Sequence, residues 1–292
     1  MQLSKVILTK ILEWSLYSNL FIALCAAALV WETEILLGIS TGIDPISIMV
    51  FFATLFLYGG HRMLSLRIIL SESRNRQLNW SKKYLFALFI LTLLGGGMVA
   101  SSVFYLNFPA WLLVIPMGCI SVLYELPIIR FKGKYRRLRN IGFLKIIWIT
   151  IVWSSITVLL PAFQYQENVN GLEVITVFSM RIALIFSLCL SFDLRDVRFD
   201  EAAGIRTIPI IFGRSKTIRV VIWCLALYFL IAVLQFSTFQ HFDFGKLAAA
   251  TVTALLSYRL IIAASVVDEW YYYPLFVDGI MILNFLLLQL DK

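Results

Sequence analysis

Long apolar runs separated by short polar connections form the main pattern of this sequence. About 20 apolar residues at helical rise cross a hydrocarbon core of ~30 Å. Runs of this length predict nine membrane spans, at approximately 15-37, 44-68, 84-104, 108-127, 142-161, 172-193, 217-238, 245-265 and 272-290. The pattern therefore predicts an all-α, polytopic membrane protein that forms one domain over residues 1-292.

A short amphipathic segment precedes the first predicted span. Leu3, Ile7, Ile11 and Trp14 fall on one face at helical spacing. This face is typical of a helix that lies in the membrane interface.

Basic residues are concentrated in alternate connections between the predicted spans. Lys and Arg cluster after the second, fourth and sixth spans, while the other connections carry few of them. Cytoplasmic loops carry such an excess, so we expect the N-terminus in the cytoplasm and the C-terminus outside. We expect the membrane to be a bacterial inner (plasma) membrane.

Composition agrees with this prediction and narrows the possible functions. Hydrophobic residues make up 61% of the chain and charged residues 14%, which excludes a soluble domain. The net charge of +8 follows from the basic connections, so membrane topology explains it and nucleic acid is excluded as a partner.

Three carboxylates at the end of the sixth span are the strongest candidates for chemistry. Asp193, Asp196 and Asp200 are spaced i, i+3, i+7, so a helix continuing beyond the span would place them on one face. Magnesium is held by one or two carboxylates together with substrate phosphates, and it would relieve their repulsion. The alternative is a solvated helix end whose Asp and Arg side chains pair locally.

The residues after these carboxylates favour the first interpretation. The run from Asp193 through Gly204-Ile205-Arg206-Thr207-Ile208-Pro209 resembles the second aspartate-rich motif of the UbiA superfamily of intramembrane prenyltransferases. Tyr124-Glu125-Leu126-Pro127, followed by a basic loop and Asn140-x-Gly142, also resembles a family segment. The resemblance implies nine spans, in a four-helix part (about 15-127) and a five-helix part (about 142-290) around a central cavity.

The first aspartate-rich motif of that family, N-D-x-x-D-x-x-x-D, is degenerate here. Counting back from Asn75-Arg76-Gln77-Leu78, His61 and Arg62 take the place of the N-D pair, and Ser65 and Ile69 take the later aspartate positions. This motif is therefore absent as a metal site.

Two hypotheses follow from the substitution. In the first, His61, Arg62 and Arg76 partly replace the lost metal site while Asp196 and Asp200 keep magnesium, with fewer ions than in a family member that has both motifs. Fixed cations and metal ions both neutralise charge that develops on a leaving group. In the second, Arg62 pairs with Asp193 and closes a site that has lost catalysis.

Other charges within the spans have structural interpretations, since pairing between helices is common there. Arg181 is expected to be a structural charge with a partner, and Arg259 is expected to pair with Asp278. Lys145, near the start of the fifth span, could reach the phosphate site, but a Lys near a span end usually snorkels to the interface, and we interpret it so.

The resemblance implies transfer of a prenyl group from an isoprenyl diphosphate to a lipophilic acceptor, aromatic or a quinone precursor. The expected catalytic residues are Asp193, Asp196 and Asp200, and the expected substrate contacts are His61, Arg62, Arg76, Tyr124 and Arg206. The competing function is a non-catalytic isoprenoid- or quinone-binding membrane protein. A transporter is less favoured, because no paired Gly/Pro breaks at mid-membrane depth are present.

Overall fold

The fold is that of a helical membrane protein, given by a computed structural model. The structure describes residues 2–39, 43–68, 76–126, 129–131, 134–136, 141–165, 169–239, 243–264, 267 and 269–290. The helices are α1 (Gln2–Tyr17), α2 (Leu20–Leu36), α3 (Pro45–Ile68), α4 (Arg76–Lys83), α5 (Leu85–Ser102), α6 (Phe108–Glu125), α7 (Gly142–Ser154), α8 (Leu160–Gln164), α9 (Gly171–Ala202), α10 (Ile208–Phe212), α11 (Arg214–Thr238), α12 (Phe244–Ala264) and α13 (Gly279–Gln289).

Short irregular elements join or extend these helices. A 3₁₀ turn follows α5 (Val103–Tyr105), and π-helical turns join α7 to α8 (Ser155–Leu159) and precede α13 (Tyr273–Val277). Two three-residue strands, β1 (Ile129–Phe131) and β2 (Lys134–Arg136), form an antiparallel pair in the second basic connection. The sequence pattern did not predict this hairpin.

The helical class is confirmed, whereas the count of nine spans is not. Six helices in the described part are long and apolar enough to cross a membrane, or seven if a bent pair counts as one span. The fourth and ninth predicted spans correspond to shorter apolar helices, at Phe108–Tyr124 and Tyr273–Gln289. Each of the nine predicted spans coincides with helical residues. The lower count arises because some of these helices are shorter than a membrane-spanning helix.

The first predicted span begins five residues later than the sequence suggested. Asn19 adopts a left-handed conformation (φ 69°) between α1 and α2, and the two helices bend by 62° there. Asn tolerates this conformation better than most residues, so the break is local in origin. Residues 15–17 therefore belong to α1, and the exposed side chains of Ile7 and Ile11 suit the predicted interfacial helix.

The core is built around α9, which packs against α7 and α11, and around α2, which packs against α3 and α13. Small side chains at Cys25, Ala26, Ala27 and Ala28 are fully buried on α2. Small residues let helix backbones approach closely within a membrane, where apolar contacts between helices gain little from water exclusion.

A buried ion pair joins these two central helices. Arg181 of α9 lies 3.1 Å from Glu32 of α2, and both are 2% exposed. The Arg181 guanidinium also donates to the Leu29 carbonyl (3.0 Å) and to the hydroxyls of Thr33 and Thr157 (3.2 Å each). The expectation of a structural charge with a partner is therefore confirmed.

The expected pair between Arg259 and Asp278 is wrong. Arg259 is exposed on the outside of α12, and no ion pair joins it to Asp278 in the described part of the chain. Asp278 instead lines the central cavity. The position of a residue along a span determines how deep its side chain lies in the membrane. It does not determine the direction in which the side chain points around the helix.

Replacing Arg181 by Met should destabilise the fold by about 3–5 kcal/mol, because Glu32 would remain as an uncompensated buried charge. Combining it with Glu32→Leu should recover part of that loss. The free energy of unfolding in detergent micelles measures both effects. Arg259→Met is the matched control and should change stability by less than about 0.5 kcal/mol, as at ordinary surface sites. Additive effects of the Arg181 and Glu32 substitutions would contradict the pairing.

Candidate active site

A cavity of about 700 Å³ opens between the two halves of the helix bundle. Its wall includes five residues that the sequence predicted, namely His61, Arg62, Tyr124, Asp193 and Asp196. Aromatic and aliphatic side chains from α3, α7 and α9 form much of the remaining wall. The structure therefore brings the residues that replace the first motif into the same space as the second motif.

Helix α9 carries all three predicted carboxylates, because it continues past the predicted span end to Ala202. Asp193 is fully buried, Asp200 is 9% exposed, and Asp196 is partly exposed. Asp193 and Asp196 lie on the cavity wall, whereas Asp200 lies about one turn beyond Asp196 along the helix. The helical spacing inferred from the sequence is therefore realised.

Lys145 of α7 neutralises part of this acidic surface. Its Nζ lies 2.9 Å from Asp193 Oδ1 and 3.9 Å from Asp200 Oδ2. Interpreting Lys145 as a snorkelling side chain was therefore wrong, since it points inward and lines the cavity. Lys145 lies three residues after the predicted start of the fifth span, at the same basic end of the bundle as Asp193. This position was the sequence signal for a contact between the two side chains.

Asp196 is held by its neighbour Arg195. The Arg195 guanidinium donates to both carboxylate oxygens of Asp196, at 2.7 and 3.0 Å. The same guanidinium lies over the rings of Phe192 and Tyr273, at 5.0 and 4.9 Å from their centres. Stacking and bidentate bonding fix the orientation of Arg195, which also lines the cavity and was not predicted.

Arg62 of α3 faces the acidic helix across the cavity. Its Nη2 donates to Asn19 Oδ1 at 2.6 Å, at the break between α1 and α2. Its Nη1 is buried and has no hydrogen-bond partner among the described residues. Asp193 bonds to Lys145, so the hypothesis that an Arg62–Asp193 ion pair closes the site is not supported by this geometry.

Arg76 lies outside the cavity wall. It bonds to Glu13 of α1, at 2.8 Å from Nη2 and 2.9 Å from Nε, and it stacks over the Trp270 ring at 4.8 Å. These contacts join α4 to the interfacial helix and to the start of the last span. The structure therefore does not bring Arg76 to the other predicted site residues.

Arg206 is exposed in the turn after α9, and its side chain does not line the cavity. Its backbone, however, packs directly on the first residue of α7. A Cβ added to Gly142 would lie 1.8 Å from the Arg206 carbonyl oxygen and 3.0 Å from the Thr207 nitrogen. Gly142 thus allows the turn after the carboxylates to contact the helix that carries Lys145. Four motif residues, Ile69, Asn75, Pro127 and Asn140, lie outside the described residues.

The residues present fit a magnesium ion that is shared with a phosphate ligand. Within the described ranges, no three His, Cys, Asp or Glu residues come together as a metal site made of protein alone. Asp193 Oδ2 is nevertheless buried without a hydrogen-bond partner in the same part of the chain. Since Mg²⁺ needs only one or two carboxylates when phosphates complete its shell, this donor set is sufficient.

Comparison of the sequence with family models gives a match to the UbiA prenyltransferase family over residues 77–272. The match includes α4 to α12 and therefore the carboxylates of α9. No curated protein matches the sequence.

Solved structures share the fold over nearly the whole chain. A UbiA homologue from Archaeoglobus fulgidus has a TM-score of 0.60 at 13% identity, covering 96% of this chain and 98% of that one. The same homologue bound to GPP and Mg²⁺ gives 0.57 at 12% identity, covering 94% and 100%. A digeranylgeranylglyceryl phosphate synthase gives 0.57 at 16% identity, covering 96% and 98%.

Gly142→Ala should displace the turn at residues 205–207, because a methyl group cannot coexist with the Arg206 carbonyl. We expect a loss of stability of at least about 1–3 kcal/mol, as for other overpacked contacts. Thermal unfolding in detergent measures it. Gly118→Ala in α6, where the added methyl meets nothing within 4 Å, is the matched control and should be neutral or slightly stabilising. Equal stability of the two variants would refute the close contact.

Proposed function

The chain belongs to the UbiA prenyltransferase family, and we propose that it transfers a prenyl group from an isoprenyl diphosphate to a lipophilic acceptor within the membrane. The acceptor is aromatic or a quinone precursor. One observation carries the proposal: cations on α3 and α7 and carboxylates on α9 line the same cavity in an otherwise apolar bundle. Ionisable groups at such depth are costly and mark sites of function.

The diphosphate binds between Arg62 and the acidic helix. Arg62 lines the cavity and its Nη1 has no hydrogen-bond partner among the described residues, and Lys145 adds a second positive charge beside Asp193. Both cations favour the negative charge that grows on the diphosphate as the bond to the prenyl group breaks. His61 lies one residue from Arg62 on the same wall and is placed to contact the donor.

In place of the expected pair Asp196 and Asp200, Asp193 and Asp196 would hold magnesium together with the diphosphate, because these two line the cavity. Asp200 supports them through Lys145. A metal ion there supplies further neutralisation of the leaving group. Because Lys145 and Arg62 contribute fixed charges, fewer metal ions are needed than at a site built from two aspartate-rich motifs.

The apolar part of the cavity suits the prenyl chain and the allylic cation. Tyr58, Trp148, Trp153 and Phe192 line it, and Tyr124 adds a further ring at the wall. Aromatic faces stabilise a nearby cation by about 0.5–2 kcal/mol each. The lining therefore offers a low-polarity space in which the cation is protected from water.

Non-catalytic binding of an isoprenoid or quinone is the second candidate, and the position of Lys145 favours it. Its ammonium group already lies between two of the carboxylates. A fixed cation at this position competes with a metal ion for the same oxygens. Loss of magnesium binding would leave a lipid-binding cavity without turnover.

For its placement in the cell, we propose that the N-terminus and the basic connections lie in the cytoplasm of a bacterium, with the C-terminus outside its inner membrane. The excess of Lys and Arg in alternate connections supports this orientation. The four-helix part (15-127) and five-helix part (142-290) enclose the cavity from two sides.

Asp193→Asn should lower diphosphate release from a labelled isoprenyl diphosphate by roughly 10²–10³, as for the loss of one electrostatic stabiliser. The purified protein is incubated with donor and candidate aromatic acceptors, with and without Mg²⁺. Glu173→Gln is the matched control, since Glu173 lies in the first turn of α9, about 20 residues before Asp193. Absence of turnover with every donor, alongside retained lipid binding, would favour the non-catalytic function.

Arg62→Ala should weaken binding of the diphosphate donor by roughly tenfold or more, because it removes a charge-assisted hydrogen bond. Equilibrium binding of labelled GPP to the protein in detergent measures the change. Arg76→Ala should leave this affinity within about twofold, since Arg76 is bonded to Glu13 away from the cavity. Unchanged affinity in the Arg62 variant would remove this residue from the donor site.

A further inference from the structure

Asp278 is a carboxylate in the last span that none of the contacts described above uses. It lines the central cavity and is partly exposed there. Its side chain has no hydrogen bond or ion pair within the part of the chain that the structure describes. An ionisable side chain at membrane depth that faces a cavity, with its oxygens available, is a binding group by default.

A π-turn positions this carboxylate. The Asp278 amide donates to the Tyr273 carbonyl five residues earlier, at 3.2 Å, in place of the usual four-residue spacing. The Asp278 carbonyl in turn accepts from Cys25 Sγ of α2 at 3.4 Å. The backbone of Asp278 is therefore held on both sides, and such turns frequently occur at functional sites.

Ring contacts fix the depth of Asp278 relative to the diphosphate site. Tyr273 stacks with Phe192, the residue before Asp193, with ring centres 5.5 Å apart. Asp278 follows Tyr273 by one π-turn, which places it roughly 7 Å deeper at about 1.5 Å per residue. Asp278 thus lies deeper in the membrane than the diphosphate site and on the same cavity. An acceptor that reacts with the prenyl carbon would lie at this depth.

We propose that Asp278 recognises the acceptor by accepting a hydrogen bond from its hydroxyl group. This inference rests on the proposed prenyl transfer and names the acceptor class as one that carries an uncharged O–H donor. The unbonded oxygens of this carboxyl group accept a hydrogen bond from a hydroxyl, whereas an ether of the same shape has no hydrogen to donate.

The surroundings of Asp278 strengthen such discrimination. Tyr58, Trp153 and Met281 line the adjoining wall, so little water competes for the carboxylate. A site built to bond a hydroxyl rejects the analogue without it, because the buried polar group is then left unsatisfied. Apolar contacts alone would not distinguish the two ligands.

The test compares binding of para-hexylphenol and its methyl ether to the full chain in detergent, without any donor. The wild-type protein should bind the phenol at least roughly tenfold more tightly than the ether, because the ether leaves the buried carboxyl oxygens without that hydrogen bond. Asp278→Leu should reduce that ratio to about twofold or less, and Asp278→Asn should give an intermediate ratio.

Phe276→Leu is the matched control, since Phe276 lies on the same π-turn and is 44% exposed on its outer side. It should keep the full preference for the phenol. Equal binding of the two probes by the wild-type protein, binding of neither probe, or an unchanged ratio in the Asp278→Leu variant would overturn the proposal. GPP binding in the presence of Mg²⁺ is measured separately, so loss of the proposed function is distinguished from loss of acceptor recognition.

Discussion

The cost of a charge inside the hydrocarbon core is the constraint on which the rest of this structure depends. Each charged side chain deep in the bundle must find a partner or face a polar cavity. Arg181 meets this requirement with Glu32 and three further oxygen acceptors, and so ties α9 to α2. Lys145 meets it with Asp193, and so ties α7 to the other face of α9. The same helix is therefore held by one buried charge at mid-depth and by another at the cavity.

The two sides of the cavity carry opposite charges, and this asymmetry changes the electrostatics of the site. A cavity with aspartates on both sides needs several metal ions before it can accept a diphosphate. Here the side of α3 is positive through Arg62, whose Nη2 is anchored by Asn19 and whose Nη1 has no hydrogen-bond partner among the described residues. At the proposed donor site this charge would attract an anionic ligand without complete dependence on metal. The left-handed conformation of Asn19, which breaks the first helix, also places the amide that orients Arg62.

Periodicity and depth were enough to predict the helical class, the shared helix that carries Asp193 and Asp196, and the partnered state of Arg181. They were not enough to predict the direction in which a side chain points around its helix. Lys145 was assigned to the interface and Arg259 to Asp278 on height alone, and both assignments failed for this reason. The break at Asn19 depends on the conformation of a single residue, and the pairing of β1 with β2 depends on contacts within a connection, neither of which hydropathy records.

The π-turns change the direction of the side chains that follow them in the fifth and ninth spans. Each inserts an extra residue into a turn, so side chains beyond it are rotated by about 100° from the regular helical pattern. Each also contains or precedes a proline, at Pro274 and Pro161, whose ring would otherwise clash with a carbonyl of the preceding turn. In the fifth span the turn presents the Thr157 hydroxyl to Arg181. In the ninth it turns the Asp278 side chain to the cavity wall. In each span, therefore, a proline interrupts the regular hydrogen bonding and a π-turn accommodates it. The same π-turn directs a polar side chain, Thr157 or Asp278, into the interior of the bundle.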